Sequence, residues 1–137
     1  MFTWLNSHTQ ARSMFGGIYF RNTLPPVHTI YSRPTVFICN TAKDTHITGT
    51  HWIAILKGVS IPEYFDSLGK YPHGDIVKFL GPTFKYCTLK LQDIALPSCG
   101  HYVLYYVACR AQGLSFQQTL EIMYALGDQA IIEAVSP

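Results

Sequence analysis

Residues 99 to 112, "CGHYVLYYVACRAQ", would carry apolar side chains around nearly the whole circumference of a helix. A helix of that kind cannot lie on a surface with one face in water and has to be enclosed by the rest of the molecule. A chain of 137 residues has enough material for one compact domain around such a helix and too little for two. Residues 1–137 are thus expected to form a single domain with this helix at its centre. A hydrophobic content of 48% against 13% charged residues agrees with a folded, core-rich protein and argues against disorder.

Upstream of that helix, "GIYF" and "TVFICN" predict strands separated by the turn-rich "RNTLPPVHTIYSRP". "HWIAILK" is apolar on both faces, Trp52, Ala54 and Leu56 alternating with Ile53 and Ile55, which suits a central strand. "EYFDS" predicts a shorter strand with its acidic residue arriving at the end. "KYCTLKLQ" alternates, with Cys87, Leu89 and Leu91 on one face and Tyr86, Thr88 and Lys90 on the other.

Further helices are expected at three places. One short helix covers 3–13 with Thr3 as its cap, and another covers "PHGDIVKFLG", with Pro72 near its start and Gly81 past its end. A third opens at the Ser115-x-x-Gln118 capping box, after Gly113 has ended the central helix, and stops near Gly127. A last turn or two follows Asp128. Helices flanking a small sheet without strict alternation indicate an α+β fold.

Cys99 stands at the mouth of the central helix, not among the apolar residues that a packing thiol would join. A helix N-terminus and a neighbouring imidazolium lower a thiol's pKa by several units from about 8.5. His51 opens the central strand, and Asp66 ends the next one fifteen residues later. In antiparallel neighbours these two positions meet at one sheet edge. Gln92 closes the alternating strand, seven residues before Cys99.

Four reactive side chains at four element ends supply what acyl transfer from an amide requires. Cys99 is the expected nucleophile, His51 its base, and Asp66 the orienter of the imidazole. Gln92 and the Cys99 backbone N–H are the expected oxyanion donors. Gly100 leaves room for close approach of a substrate backbone. Taken singly, each residue has an ordinary explanation, such as a turn role for the Asp of "FDSLG". It is their conjunction that favours catalysis. Cys39, Cys87 and Cys109 are expected as buried small apolar residues, His101 and Tyr102 as helix packing, and His73 as a solvated surface residue.

Other functions find little footing. No C-x-x-C or H-x-x-x-H pair occurs and the six histidines are scattered, so no metal site is expected. A formal charge of +2 without a basic run is not a nucleic-acid footprint. The opening "MFTWLNSHTQARSMF" lacks the layout of a secretory signal, and no run approaches the ~18 apolar residues of a membrane helix. The expectation is an intracellular, reducing setting with free thiols and no membrane partner.

In chain order, "GTHWIAIL", "YFDSLG", and Gln92 seven residues before "CGHYVLYY" resemble the adenain-type cysteine proteases. These are the adenovirus-type maturation proteases and their relatives in adenovirus-like viruses and Maverick/Polinton elements, within the Ulp1-like clan. "FGGIYFRNTLP" and "PTVFICNT" extend the resemblance upstream, so that it covers about residues 14 to 118. It implies a papain-like or Ulp1-like fold, a small mixed sheet flanked by helices with the catalytic cysteine opening a buried central helix. It also implies a thiol endopeptidase that cleaves viral capsid and core precursor proteins after Gly, as Gly-Gly or Gly-X. His51, Asp66, Gln92 and Cys99 take the catalytic roles, and Trp52 and Gly100 contact substrate, Trp52 as a wall of the groove. The implied setting is the virion and the host-cell nucleus or cytoplasm.

No cofactor is implied beyond the short activating peptide and the DNA that stimulate adenain. Here the weak charge and a chain ending soon after the second C-terminal helix stand against both, while an activating peptide and a weak DNA contact stay open as partners. Asp66 stands where the best-known adenoviral enzymes have Glu, a change shared with Maverick and Ulp1-like members. Ser98 stands where Ulp1-like enzymes carry Asp, which favours the viral type over an isopeptidase or acetyltransferase of the same clan. A catalytically silent interaction module is the remaining alternative, and the intact set of four residues argues against it.

Overall fold

The alternation in "TVFICN" and "WIAILK" puts apolar residues on both faces of two strands, so both faces need a covering layer. The computed structural model, which describes residues 9–43, 51–92 and 98–136, supplies one on each side. Five strands form one sheet in chain order: β1 (Phe15–Phe20), β2 (Thr35–Asn40), β3 (Trp52–Lys57), β4 (Glu63–Phe65) and β5 (Lys85–Tyr86). The outer pairs β1–β2 and β4–β5 run parallel, and the inner pairs β2–β3 and β3–β4 run antiparallel. The helices are α1 (Thr9–Met14), α2 (Gly74–Leu80), α3 (Cys99–Ala111), α4 (Phe116–Leu126) and α5 (Asp128–Val135).

The register sorts the apolar residues by face. Val36 pairs with Leu56 and Ile38 with Ala54, and together with Phe65 these four pack against Tyr102, Val103, Tyr106 and Val107 of α3. Phe37 pairs with Ile55 and Cys39 with Ile53, and with Tyr64 they pack against Ile76, Phe79 and Leu80 of α2. Each large side chain enclosed in this way contributes roughly 1.5–3 kcal/mol. Helix α3 lies on β3, with α1, α4 and α5 against it, so it occupies the enclosed centre that its composition demands. The α4 capping box is present in both directions: Ser115 Oγ accepts from the Gln118 N–H at 3.0 Å, and Gln118 Oε1 accepts from the Ser115 N–H at 2.9 Å.

A buried ion pair anchors the far end of α3. Arg110 donates through Nε and Nη2 to Oε1 and Oε2 of Glu63, at 2.9 and 2.7 Å, a bidentate fork. The Tyr106 hydroxyl donates to the same Oε1 at 2.7 Å, and Arg110 Nη1 reaches the Leu114 carbonyl. Helix α3 is thereby tied to the first residue of β4.

Two expectations are corrected. "EYFDS" ends as a strand at Phe65, because Asp66 Oδ1 accepts the Leu68 N–H and the Asp66 carbonyl accepts the Gly69 N–H, and this turn competes with the ladder. "KYCTLKLQ" is a strand only over Lys85–Tyr86. Beyond that point β4 has already turned away, and Leu89 lies 47% exposed while Cys87 and Leu91 are buried. Thr3 and the start of the expected 3–13 helix lie outside the described residues, and that helix is seen as α1.

Candidate active site

The antiparallel pairing of β3 with β4, Ala54 opposite Phe65, sets the residue before one strand beside the residue after the other. His51 Nε2 and Asp66 Oδ1 are 2.6 Å apart across that edge. Cys99, the first residue of α3, meets them from the helix layer. Its thiol receives the Trp52 backbone N–H, with Trp52 N 3.5 Å from Sγ, which sets it against the main chain of the residue that follows His51. With Nε2 committed to Asp66, Nδ1 is the ring nitrogen left to serve the thiol.

The electrostatics follow from these contacts. Burial by itself would depress His51, but the hydrogen bonds and negative charge of Asp66 and Cys99 outweigh it and raise its pKa to about 9. Burial by itself would raise Cys99. The His51 hydrogen bond and charge, with the Trp52 and Gly100 backbone N–H groups, bring its pKa down below the ordinary thiol value. The other three cysteines go the opposite way: burial pushes Cys39 up to about 12 and raises Cys87 and Cys109. All four are free thiols.

Cys99 should accordingly be the one thiol that alkylates rapidly at neutral pH, giving a single adduct by mass spectrometry after brief exposure to iodoacetamide. His51→Ala removes the partner that lowers the pKa and leaves the burial that raises it. The neutral-pH rate should then fall and its pH midpoint move upward. Faster labelling of Cys39, Cys87 or Cys109 would count against Cys99 as the nucleophile.

Gln92 is buried, and the segment carrying it is held by the turn that carries Asp66. The Ser67 carbonyl accepts the Leu91 and Gln92 N–H groups at 2.8 and 3.0 Å, and the Ser67 hydroxyl donates to Gln92 Oε1 at 2.6 Å. Gly69 permits this approach. Its φ is +70°, and a Cβ there would lie 2.6 Å from the Leu89 carbonyl oxygen. From the other side, the Tyr102 hydroxyl lies between two acceptors, the Leu91 carbonyl at 3.0 Å and the Asp128 carboxylate, which share its one proton.

The structure thus brings His51 and Asp66 into direct contact, sets Cys99 against the Trp52 main chain beside them, and ties Gln92 to the Asp66 turn through Ser67. The indole of Trp52 is partly buried against the core on the α3 side, and Gly100 lies one residue into α3. Three contributions were not visible in the sequence: the Trp52 main-chain donor, Ser67, and the Tyr102 hydroxyl. Only Ser67 had a local signal, its place directly after Asp66 in "FDSLG", which also reads as plain turn chemistry.

No protein-family model matches the chain, and no curated protein matches it. Two crystal structures of the ASFV pS273R protease are similar to it. The selenomethionine form is 18% identical, with a TM-score of 0.54 over 90% of this chain and 64% of its own. The other is 20% identical, with a TM-score of 0.53 over 82% of this chain and 58% of its own. The chain spans about three fifths of the length of those proteases. The α+β fold of this chain, a mixed five-stranded sheet with helices packed on it, is one that it shares with the ASFV pS273R protease.

Proposed function

We propose that this chain is a cysteine endopeptidase of viral or mobile-element type that cleaves capsid and core precursor proteins after Gly. The observation that carries the reading is the His51–Asp66 pair at 2.6 Å with the Cys99 thiol on the N–H of the next residue, Trp52, the thiol being lowered and the imidazole raised in pKa. A shared fold with a protease supports it. The Cys99 thiolate attacks the scissile carbonyl carbon, and the carbonyl electron pair moves onto oxygen. The Gln92 amide and the Cys99 N–H donate to that oxyanion. As the oxyanion collapses, the C–N bond breaks and the His51 imidazolium gives its proton to the leaving amine, leaving a thioester on Cys99. Neutral His51 then takes a proton from water, whose oxygen attacks the thioester. The acid product leaves and the imidazolium–thiolate pair is restored. Asp66 holds the ring in place throughout and stabilises its charged form.

Nucleophile, base and donors all come from the chain, so this reading calls on no cofactor. Turnover should need neither DNA nor an activating peptide. No helix among the described residues is long and apolar enough to cross a membrane. The setting proposed is a reducing one in virion or host cell, in keeping with four free thiols. The test is turnover of a peptide library by the purified chain alone, with duplex DNA, and with peptides from candidate capsid precursors. Gly should dominate the position before the cut. Efficient cleavage after Arg or a bulky aromatic would overturn the substrate assignment, and DNA stimulation that collapses with salt would overturn self-sufficiency. Preferential release of a ubiquitin-like modifier would favour the isopeptidase.

A further inference from the structure

We propose that Ser67 is a positioning residue that sets the orientation of the Gln92 carboxamide, an inference that rests on the oxyanion role proposed for Gln92. Ser67 is fully buried, and its polar groups converge on one short segment. The carbonyl takes the N–H groups of Leu91 and Gln92, and the hydroxyl donates to Gln92 Oε1. A primary amide is planar, with oxygen and nitrogen on opposite sides of its axis. Fixing Oε1 on the Ser67 hydroxyl therefore directs the Nε2 donors away from Ser67.

Ser67 also follows Asp66 directly in the chain, and Asp66 Oδ1 holds His51 at 2.6 Å. One turn, kept tight by the Asp66 contacts to Leu68 and Gly69, thus sets the imidazole with one residue and the amide with the next. Base and oxyanion donor are referenced to the same four residues of backbone. A catalytic amide has to be held within a fraction of an ångström to act in the transition state, and the Ser67 hydroxyl supplies such a restraint at Oε1.

Ser67→Ala should lower kcat roughly tenfold with KM unchanged, the signature of a contact that matters only in the transition state. Alkylation of Cys99 and its pH profile should stay at wild-type values, because Asp66 and His51 are untouched. In a Gln92→Ala background Ser67→Ala should cost nothing further. A readout independent of turnover is the Gln92 side-chain amide pair by ¹⁵N NMR, expected to be rigid in the wild type and mobile in Ser67→Ala. Should the alanine variant misfold, Ser67→Cys keeps nearly the volume with a weaker donor and is read the same way.

A wild-type kcat with a rigid Gln92 pair in Ser67→Ala overturns the proposal. So does a further loss in the Gln92→Ala background, or slowed alkylation, since either would mean that Ser67 acts through Asp66. If the wild type turns over no Gly-containing substrate while Gln92 rigidity still depends on Ser67, the protease reading fails and the positioning stands.

Discussion

Cys99→Ala and His51→Ala are each expected to bring peptide turnover down to enzyme-free controls, a loss on the order of 10⁴-fold or more. In the proposed mechanism the two residues act as one unit, a thiolate with the imidazolium that made it, so the double variant should be no worse than either single one. Asp66→Asn should fall between these and wild type. The amide keeps a polar partner for Nε2 but loses the charge that holds the imidazolium. Gln92→Ala should lose roughly 100-fold in kcat while its thiol alkylates normally, because an oxyanion donor acts after the nucleophile is formed. Steady-state kinetics on a Gly-containing peptide separates the three cases. A Cys99→Ala protein that still cleaves would place the nucleophile elsewhere, and a Gln92→Ala protein at wild-type rate would remove the oxyanion role.

Arg110→Ala should destabilise the fold by roughly 3–5 kcal/mol, a large part of the 5–15 kcal/mol that holds a typical domain together. Glu63 is 2% exposed and faces three donor atoms, two from Arg110 and one from Tyr106. Removing the guanidinium leaves a buried carboxylate with only a neutral hydroxyl for company. Arg110→Lys should recover little, since an ammonium cannot reproduce the fork onto both oxygens. Tyr106→Phe should cost far less, near 1 kcal/mol, because a single hydrogen bond to a still-paired carboxylate is lost. Urea denaturation measures all three. An Arg110→Ala midpoint close to wild type would mean that the pair contributes little net stability, with water satisfying Glu63 in its place. Cys99 sits at the opposite end of the same helix, so any loss of turnover should track the unfolded fraction.

The elements legible in the sequence are those whose signals are local. Strands "TVFICN" and "WIAILK", helix α3 from Cys99, and the Ser115–Gln118 capping box each rest on periodicity or on contacts a few residues apart. The meeting of two candidate site residues was legible for a related reason. His51 and Asp66 sit beside the ends of antiparallel neighbours, and such a pairing brings those ends together.

What only the tertiary structure decided are bonds between groups far apart in the chain, which leave no periodic trace. "KYCTLKLQ" alternates as a strand should, yet from Cys87 onward it is not one, because its amides at Leu91 and Gln92 are taken by the Ser67 carbonyl. Alternation records which side chains want burial and not which backbone will accept their amides. The Trp52 N–H at the thiol, the Ser67 hydroxyl on Gln92 and the Arg110–Glu63 fork are of the same kind. Each joins residues 25 to 47 positions apart, and which donor meets which acceptor was fixed only when both faces of the sheet were packed. The sequence by itself determined the reactive groups and the helix that must be buried; packing determined their partners, because a hydrogen bond is chosen by distance in space and not by distance along the chain.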